Sequence, residues 1–347
     1  DFGGGEEVRF ERMGAAGVIT MTRPNALNAL THHMVKAMSR ALHHWKDDNS
    51  VAAVVIKGEG RAFSAGGDLM AIYDNRQNPP VEFFADEYRL NAQIEAYPKP
   101  YVALIDGIVM GGGVGVSFHG SHRVVTENAQ FAMPEVGIGF FPDVGASHLL
   151  PDLADNYGLY LGLTGTRVKW GDALLSGLAT HTVKAENLRP LLESIAMTGE
   201  PEASLRGVFV MARRETEREK LAAIDRWFSE PTLGDTVRIL EREAKTDELA
   251  AGTLATLRQK SPTSLAVAFR QINAGQTMSM AECMRMEFRI VNRMLRGYDF
   301  YEGIRTVLVD KGAKPVWRPT ALGDLDMADV NAYFDEPEGG DTRPTLH

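Results

Sequence analysis

Two glycine-rich stretches are the first parts of this 347-residue sequence that could do chemistry. One contains Gly66 and Gly67 in "SAGGD", and the other contains Gly111 and Gly112 in "MGGGVG". Glycine lets the main chain approach a ligand without a Cβ in the way, and amides at a helix start have no internal acceptor. Two such donors on one carbonyl oxygen would form an oxyanion hole. For either stretch alone, a tight turn or close strand–helix packing is the better interpretation.

Two carboxylates in one loop form the second candidate. Glu135 and Asp143 lie in "PEVGIGFFPDVG", where glycine and proline interrupt regular structure and allow both side chains to turn inward. Carboxylates can activate water or act as nucleophiles. Without further context, Glu135 is a turn carboxylate after proline and Asp143 an ordinary turn residue.

Other catalytic signatures are absent from the sequence. "GGGVG" does not have the spacing of a dinucleotide-binding loop, and there is no phosphate-binding G-x-x-x-x-G-K-[ST] motif. Ser64 and Ser117 lack the G-x-S-x-G context of a serine hydrolase. The nine histidines show no ligand spacing, and the single cysteine, Cys283, is expected in the core. The sequence therefore predicts no metal site and no separate cofactor.

An α/β layered arrangement is predicted to position these groups. The apolar runs "VAAVVIKG" and "YVALIDG" are typical of buried strands, and each is followed by one of the glycine stretches. "VRFER" and "GVITMTR" predict a hairpin. A helix is expected from the N-cap Thr31 to Lys46, and another over Val81–Ala96, ended by Pro98.

The chain divides by composition into two regions. Strand and helix patterns alternate over residues 1–190, which we interpret as the core, whereas residues 191–347 are mainly helix-forming and rich in charge. No internal repeat is apparent.

Charge and composition exclude several classes of partner. The net charge of −9 argues against nucleic acid, and no apolar run is long enough to span a membrane. The sequence shows no signal peptide, and one cysteine predicts a reducing compartment. We expect the cytoplasm, or the mitochondrial matrix if the protein is eukaryotic with a removed transit peptide.

Three stretches together resemble the enoyl-CoA hydratase/isomerase (crotonase) superfamily. They are "RAFSAGGDL", "GIVMGGGVGVSFHG" and "AQFAMPEVGIGFFPDVG". Added to "FFADEYRLNAQI", "SPTSLAVAFRQI" and "GYDFYEGIRTVLVDK", they are similar to the 3-hydroxyisobutyryl-CoA hydrolase subgroup, over residues from about Val8 to about Ala328. The resemblance implies an α/β crotonase (ClpP/crotonase-like) fold of spiral ββα units with a helical C-terminal region.

The resemblance also implies roles for the glycine stretches. The backbone N–H groups of Gly67 and Gly112 match the family's oxyanion donors, with Gly66 and Gly111 beside them as substrate-binding residues. Glu87 in "DEYRLN" matches a glutamate that lines the substrate pocket, with a solvated helix position as the alternative.

The carboxylates separate two activities within the superfamily. Hydratases use two glutamates, one of which matches Glu135 while the other falls on Gly115. The hydrolase subgroup lacks that second glutamate and adds an aspartate, matched by Asp143. The resemblance implies that Glu135 activates water or attacks the thioester to form an anhydride, and that Asp143 binds the substrate's 3-hydroxyl.

The expected function is hydrolysis of a short 3-hydroxyacyl-CoA, with the CoA moiety as part of the substrate. The alternatives are an enoyl-CoA hydratase/isomerase, against which Gly115 argues, and a non-catalytic acyl-CoA binder, against which Glu135 and Asp143 argue. Relatives form trimers or hexamers, so the resemblance implies a homo-oligomer.

Overall fold

A computed structural model describes residues 1–336, which form two compact units built from segments that alternate along the chain. The first unit comprises Asp1–Asp68, Asp86–Ala132 and Arg167–Glu215, and the second comprises the remaining described residues. The division at residue 190 expected from composition is a different partition from this one. Residues 337–347 of the predicted C-terminal region lie outside the described residues.

The strands all belong to the first unit. In chain order they are β1 (Val8–Met13), β2 (Ala16–Met21), β3 (Ala53–Gly58), β4 (Ala62–Ser64), β5 (Tyr101–Ile105), β6 (Ile108–Met110), β7 (His122–Val125), β8 (Gln130–Ala132) and β9 (His181–Thr182). They form a six-stranded sheet in the order β1-β2-β3-β5-β7-β9 and a three-stranded sheet in the order β4-β6-β8.

Pairing in the larger sheet follows from the hydrophobic pattern. β1 and β2 form the predicted antiparallel hairpin, and β2, β3, β5, β7 and β9 then pair in parallel. All residues of β5 are buried, as expected for a parallel strand covered on both faces. The predicted strands at "VAAVVIKG" and "YVALIDG" are thus confirmed as neighbours, β3 and β5.

The smaller sheet was predicted only in part. The stretch "AQFAMPE" predicts a short strand and contains β8, whereas the three-residue strands β4 and β6 show no alternating pattern in the sequence. Both are parallel to their neighbours, so they carry the two glycine stretches to one edge of this sheet.

Sixteen α-helices lie within residues 1–336. They are α1 (His32–Asp47), α2 (Leu69–Asp74), α3 (Val81–Glu95), α4 (Gly112–Gly115), α5 (Ala146–Leu149), α6 (Tyr157–Thr164), α7 (Trp170–Leu175), α8 (Leu188–Thr198), α9 (Pro201–Arg206), α10 (Arg218–Phe228), α11 (Leu233–Glu243), α12 (Glu248–Arg258), α13 (Pro262–Gly275), α14 (Met280–Met294), α15 (Asp299–Ile304) and α16 (Met327–Ala332). A π-helical turn, Arg305–Val309, follows α15.

The core of the first unit lies between the larger sheet and α8. Alternate residues of the parallel strands, such as Val55, Val102 and Val124, pack with Leu191 and Ile195 of that helix. The predicted helix after Thr31 is confirmed as α1, because the Thr31 hydroxyl accepts a hydrogen bond from the Met34 amide at 3.2 Å. This N-cap provides an acceptor for one of the amides at the start of the helix, which have no acceptor within the helix itself.

The second unit is helical in all its regular structure among the described residues. Its centre is α13, which packs against α5 and α6. Gly275 of α13 lies so close to α5 that a Cβ there would be 1.7 Å from the Ser147 carbonyl oxygen. This close approach brings the C-terminal helices against the segment that follows Asp143.

Candidate active site

The two glycine stretches meet in the first unit. β4 and β6 pair in parallel, so the residues that follow them emerge at the same edge of the smaller sheet. Two hydrogen bonds with Leu30 hold the main chain of the first stretch. The Leu30 amide donates to the Gly66 carbonyl at 2.8 Å, and the Leu30 carbonyl accepts from the Asp68 amide at 3.1 Å. The structure therefore brings together the two stretches that the sequence predicted to act together.

The second stretch needs glycine for two separate reasons. Gly111 has φ 48° and ψ −125°, a region that residues with a Cβ avoid. Gly112 has no room for a side chain, since a Cβ would be 2.5 Å from Glu87 Oε1 and 3.5 Å from the Gly67 amide nitrogen. Both glycines thus support the close approach of main chain that an oxyanion hole requires.

The amides of Gly67 and Gly112 are available to a ligand. Within residues 1–336, neither N–H donates a hydrogen bond to another group of the protein. A Cβ on Gly66 would be 3.7 Å from the Gly112 nitrogen, which shows how closely the two stretches approach. Two such amides, one just before α2 and one at the start of α4, can stabilise negative charge on one oxygen.

Glu87 lies beside these amides and not on the surface. Its side chain is 2 % exposed and approaches Gly112 from α3. The alternative interpretation, a solvated helix position, is therefore wrong. Gly115, where hydratases carry a second glutamate, is buried in α4 and offers no carboxylate. Asp68, next to Gly67, forms an ion pair with Arg23 at 3.0 Å.

Glu135 is placed in the second unit by a short 3-10 helix, Glu135–Ile138. The Phe140 amide donates to the Glu135 carbonyl at 3.0 Å, and the Ser261 amide donates to Val136 at 3.2 Å. Gly139 ends the turn with φ 70°, in the left-handed region that favours glycine, and a Cβ on it would be 2.3 Å from the Asp299 backbone. Contacts with Ser261 and with the Asp299 backbone therefore restrain this turn.

The environment of Glu135 favours its neutral form. The side chain is 6 % exposed, and Oε2 has no hydrogen-bond partner among residues 1–336. Burial raises the pKa of Glu135 well above its ordinary value, and the negative charge of Asp143 raises it further, opposed in part by a backbone hydrogen bond. A buried carboxyl perturbed by both desolvation and a specific neighbour is typical of catalytic acids and bases.

Asp143 shares this buried environment and lies close enough to Glu135 for its charge to act on it. Its side chain is 5 % exposed. The sequence prediction that "PEVGIGFFPDVG" turns both carboxylates inward is confirmed by their burial.

A third buried carboxyl, Glu287 of α14, was missed by the sequence analysis. It is 0 % exposed and accepts hydrogen bonds from the Gly145 amide at 2.9 Å, from the Ser147 amide at 3.0 Å and from the Ser147 hydroxyl. Burial raises the pKa of Glu287 to about 8, and the charge of Asp143 adds to this, whereas the three hydrogen bonds oppose it. The only hint in the sequence is that Glu287 falls on the otherwise apolar face of α14, at helical spacing from Cys283 and Ile290.

Two other features of the described residues bear on possible chemistry. The buried Cys283 thiol has its pKa raised to about 12 by burial, which makes it a poor nucleophile. Across residues 1–336, no three or more His, Cys, Asp or Glu side chains are grouped as metal ligands. In the same range, no helix combines the length and apolar character needed to cross a membrane.

Comparison with known proteins gives consistent relatives. The family described as Enoyl-CoA hydratase/isomerase matches residues 16–334. "3-hydroxyisobutyryl-CoA hydrolase, mitochondrial" from Danio rerio is 42% identical over 95% of this chain and 90% of its own length, and the Mus musculus protein of that name is 40% identical over 94% and 88%. A solved structure, titled a carnitinyl-CoA dehydratase from Mycobacterium thermoresistibile, has a TM-score of 0.92 at 38% identity, over 97% of this chain and 98% of that one.

Proposed function

Since the chain belongs to the enoyl-CoA hydratase/isomerase family, we propose that it hydrolyses a short 3-hydroxyacyl-CoA thioester, 3-hydroxyisobutyryl-CoA first among them. The predicted crotonase fold and the predicted similarity to 3-hydroxyisobutyryl-CoA hydrolases are both confirmed by the relatives. The observation that carries the proposal is the buried pair Glu135 and Asp143, with Oε2 of Glu135 unpartnered among the described residues.

Each group has a role that follows from its chemistry. The amides of Gly67 and Gly112 bind the thioester oxygen, on which negative charge grows during attack. Glu135 as a carboxylate takes a proton from water, whose oxygen attacks the carbonyl carbon. The C–S bond then breaks, and the CoA thiolate takes up a proton. In the alternative route a Glu135 oxygen attacks the carbonyl carbon, the C–S bond breaks to give an anhydride and the CoA thiolate, and water then cleaves the anhydride.

Specificity in this proposal comes from Asp143, with Glu87, Gly66 and Gly111 lining the acyl site. A hydrogen bond from the substrate's 3-hydroxyl to the Asp143 carboxylate favours hydroxyacyl over plain acyl chains, because only the hydroxyacyl chains offer this donor. The reaction uses no metal or redox group, so removing metals with a chelator should leave its rate unchanged.

The decisive experiment separates thioester cleavage from water addition. The purified protein is given 3-hydroxyisobutyryl-CoA, with a thiol reagent to detect free CoA, and crotonyl-CoA, with loss of the enoyl absorbance as the signal. We expect CoA release from the first substrate and no hydration of the second. Glu135→Gln should lower the release about 10³-fold or more, the scale of a lost acid–base or nucleophilic group.

A matched control is Glu241→Gln, which removes a surface carboxylate paired with Arg258 and should not change the rate. Hydration of crotonyl-CoA without thiol release would contradict the proposal and favour the enoyl-CoA hydratase/isomerase alternative. Binding of acyl-CoA with neither reaction would indicate a non-catalytic binder.

We further propose a homo-oligomer, a trimer or hexamer, working in a reducing compartment. The cytoplasm fits the buried, unpaired thiol of Cys283, and the mitochondrial matrix fits it equally in a eukaryote, in keeping with the names of the animal relatives. Light scattering coupled to gel filtration tests the assembly, and the mass of a monomer would contradict it.

A further inference from the structure

The segment from Pro142 to Ser147 is held by two buried side chains from distant parts of the sequence. Gln271 of α13 donates from Nε2 to the Pro142 carbonyl, across 129 positions in the chain. Glu287 of α14 accepts from the Gly145 amide at 2.9 Å, across 142 positions, and from Ser147 at 3.0 Å. Gln271 and Glu287 are each 0 % exposed. Asp143 therefore lies between two fixed points of the main chain.

The backbone inside this segment has a conformation that needs such support. Val144 has φ 54° and Gly145 has φ 86°, so two consecutive residues are left-handed. A β-branched residue in that region is a steric outlier, which persists only where the surrounding structure holds it. Three donors on one carboxyl group, with a fourth contact at Pro142, provide that restraint.

We propose that Glu287 and Gln271 are positioning residues that aim Asp143 at the substrate's 3-hydroxyl, an inference that rests on the proposed function. They do not touch the reacting atoms. They hold the main chain on either side of Asp143, so a small error in that main chain moves its carboxylate out of hydrogen-bond range. Their effect is consequently on discrimination between hydroxyacyl and plain acyl substrates more than on thioester cleavage itself.

Two variants test the positioning role, and each alters the hydrogen bonds at a different end of the Pro142–Ser147 segment. Gln271→Met keeps the size of the side chain and removes the donor to Pro142. Glu287→Gln keeps its shape but turns an NH₂ group toward one of the amides that the carboxyl oxygens accept from. For each, the ratio of kcat/KM for 3-hydroxyisobutyryl-CoA to that for isobutyryl-CoA should fall about tenfold, the scale of one impaired hydrogen bond.

A matched control is Glu302→Gln in the same unit. Glu302 is also a buried carboxyl that accepts from a main-chain amide, that of Val316 at 2.9 Å, but it holds a different segment. It should lower the midpoint of thermal unfolding without changing the substrate ratio. Hydrogen exchange of the Gly145 and Ser147 amides should become faster in Glu287→Gln and stay unchanged in Glu302→Gln.

The outcomes distinguish the inference from the function on which it rests. Thioester cleavage with an unchanged substrate ratio in both variants would overturn the positioning role and leave the proposed function standing. Equal loss on both substrates, together with reduced stability, would assign these residues to folding alone. If the wild-type protein cleaves neither thioester, the proposed function fails, and the positioning role fails with it.

Discussion

The two glycine stretches and the Glu135–Asp143 loop reach their geometry in different ways. In the glycine stretches the proposed active groups are main-chain amides, and their positions follow from short parallel strands and from glycines with little room for a Cβ. In the other loop the active groups are side chains, and their surroundings come from helices more than a hundred positions away. The comparison shows that the backbone site depends on glycines and short paired strands, whereas the segment that carries Asp143 depends on hydrogen bonds from helices far away in the chain.

Within the backbone site, the largest expected effect comes from Gly112→Ala. The new Cβ would be 2.5 Å from Glu87 Oε1, so either the buried Glu87 side chain or the main chain that carries the Gly112 amide must shift. Loss of one oxyanion donor typically costs about 10²–10³ in kcat. Gly252→Ala in α12 is the matched control, because a Cβ there meets nothing within 4 Å. A kcat for Gly112→Ala within threefold of the wild type would contradict the prediction that a Cβ at this position disturbs the oxyanion site.

A smaller and more selective effect is expected from Asp143→Asn. The ratio of kcat/KM for 3-hydroxyisobutyryl-CoA to that for isobutyryl-CoA should fall about 10- to 100-fold, since a charged hydrogen bond to the hydroxyl is lost. Asp152→Asn, at an exposed position, provides the matched control and should leave the ratio as it is. An unchanged ratio in Asp143→Asn would remove the role that we assign to Asp143.

The pH dependence of activity should report the environment of Glu135. In the proposed mechanism Glu135 acts as a carboxylate, and burial raises its pKa, so kcat/KM should fall about tenfold per pH unit below that pKa. The midpoint is expected well above 4.5, the ordinary pKa of a glutamate. Initial rates between about pH 5 and 9 provide the measurement. A profile that stays flat down to about pH 5 would contradict the raised pKa.

The smallest expected effect is on stability. A carboxyl whose pKa is higher in the folded than in the unfolded protein contributes stability below its unfolded pKa and loses it as the pH rises toward the folded pKa. In Glu135→Gln this pH-dependent loss should be absent. Between the unfolded and the folded pKa of Glu135, the unfolding free energy of the wild type should therefore fall by about 1.4 kcal/mol per pH unit relative to that of the variant. Urea unfolding at several pH values measures it. Burial raises the pKa of Glu287 as well, so Glu287 also makes stability depend on pH. Because both proteins contain Glu287, its contribution cancels in the difference between wild type and Glu135→Gln. A constant difference in unfolding free energy across pH would contradict the assignment.

The regular elements were predicted best where their patterns were long. The helix after Thr31 and the strand at "YVALIDG" were correct within a few residues, because capping and hydrophobic runs are local signals. β4 and β6 were missed, although their parallel pairing is what joins the two glycine stretches. Three residues carry too little pattern to distinguish a strand from a loop.

The sequence predicted which residues belong to the site, but not their burial or their hydrogen-bond partners. Burial of Glu87 decided between two interpretations that its helical position left open. In the sequence, Glu287 and Gln271 are ordinary residues of predicted helices. Their neighbours in the sequence do not indicate that they form hydrogen bonds with the segment around Asp143. Contacts across such distances in the chain exist only once the helices have packed.

By itself, the sequence determined the superfamily, the glycine positions that release two amides, and the replacement of one hydratase glutamate by Gly115. These are local facts, because backbone conformation and the absence of a Cβ depend on the residue and its neighbours. The tertiary structure alone decided that Glu135 is buried beside Asp143 with a raised pKa, and that Glu287 and Gln271 hold the intervening main chain. Desolvation and hydrogen bonding are properties of packed surroundings, and here those surroundings come from helices more than a hundred positions away in the chain.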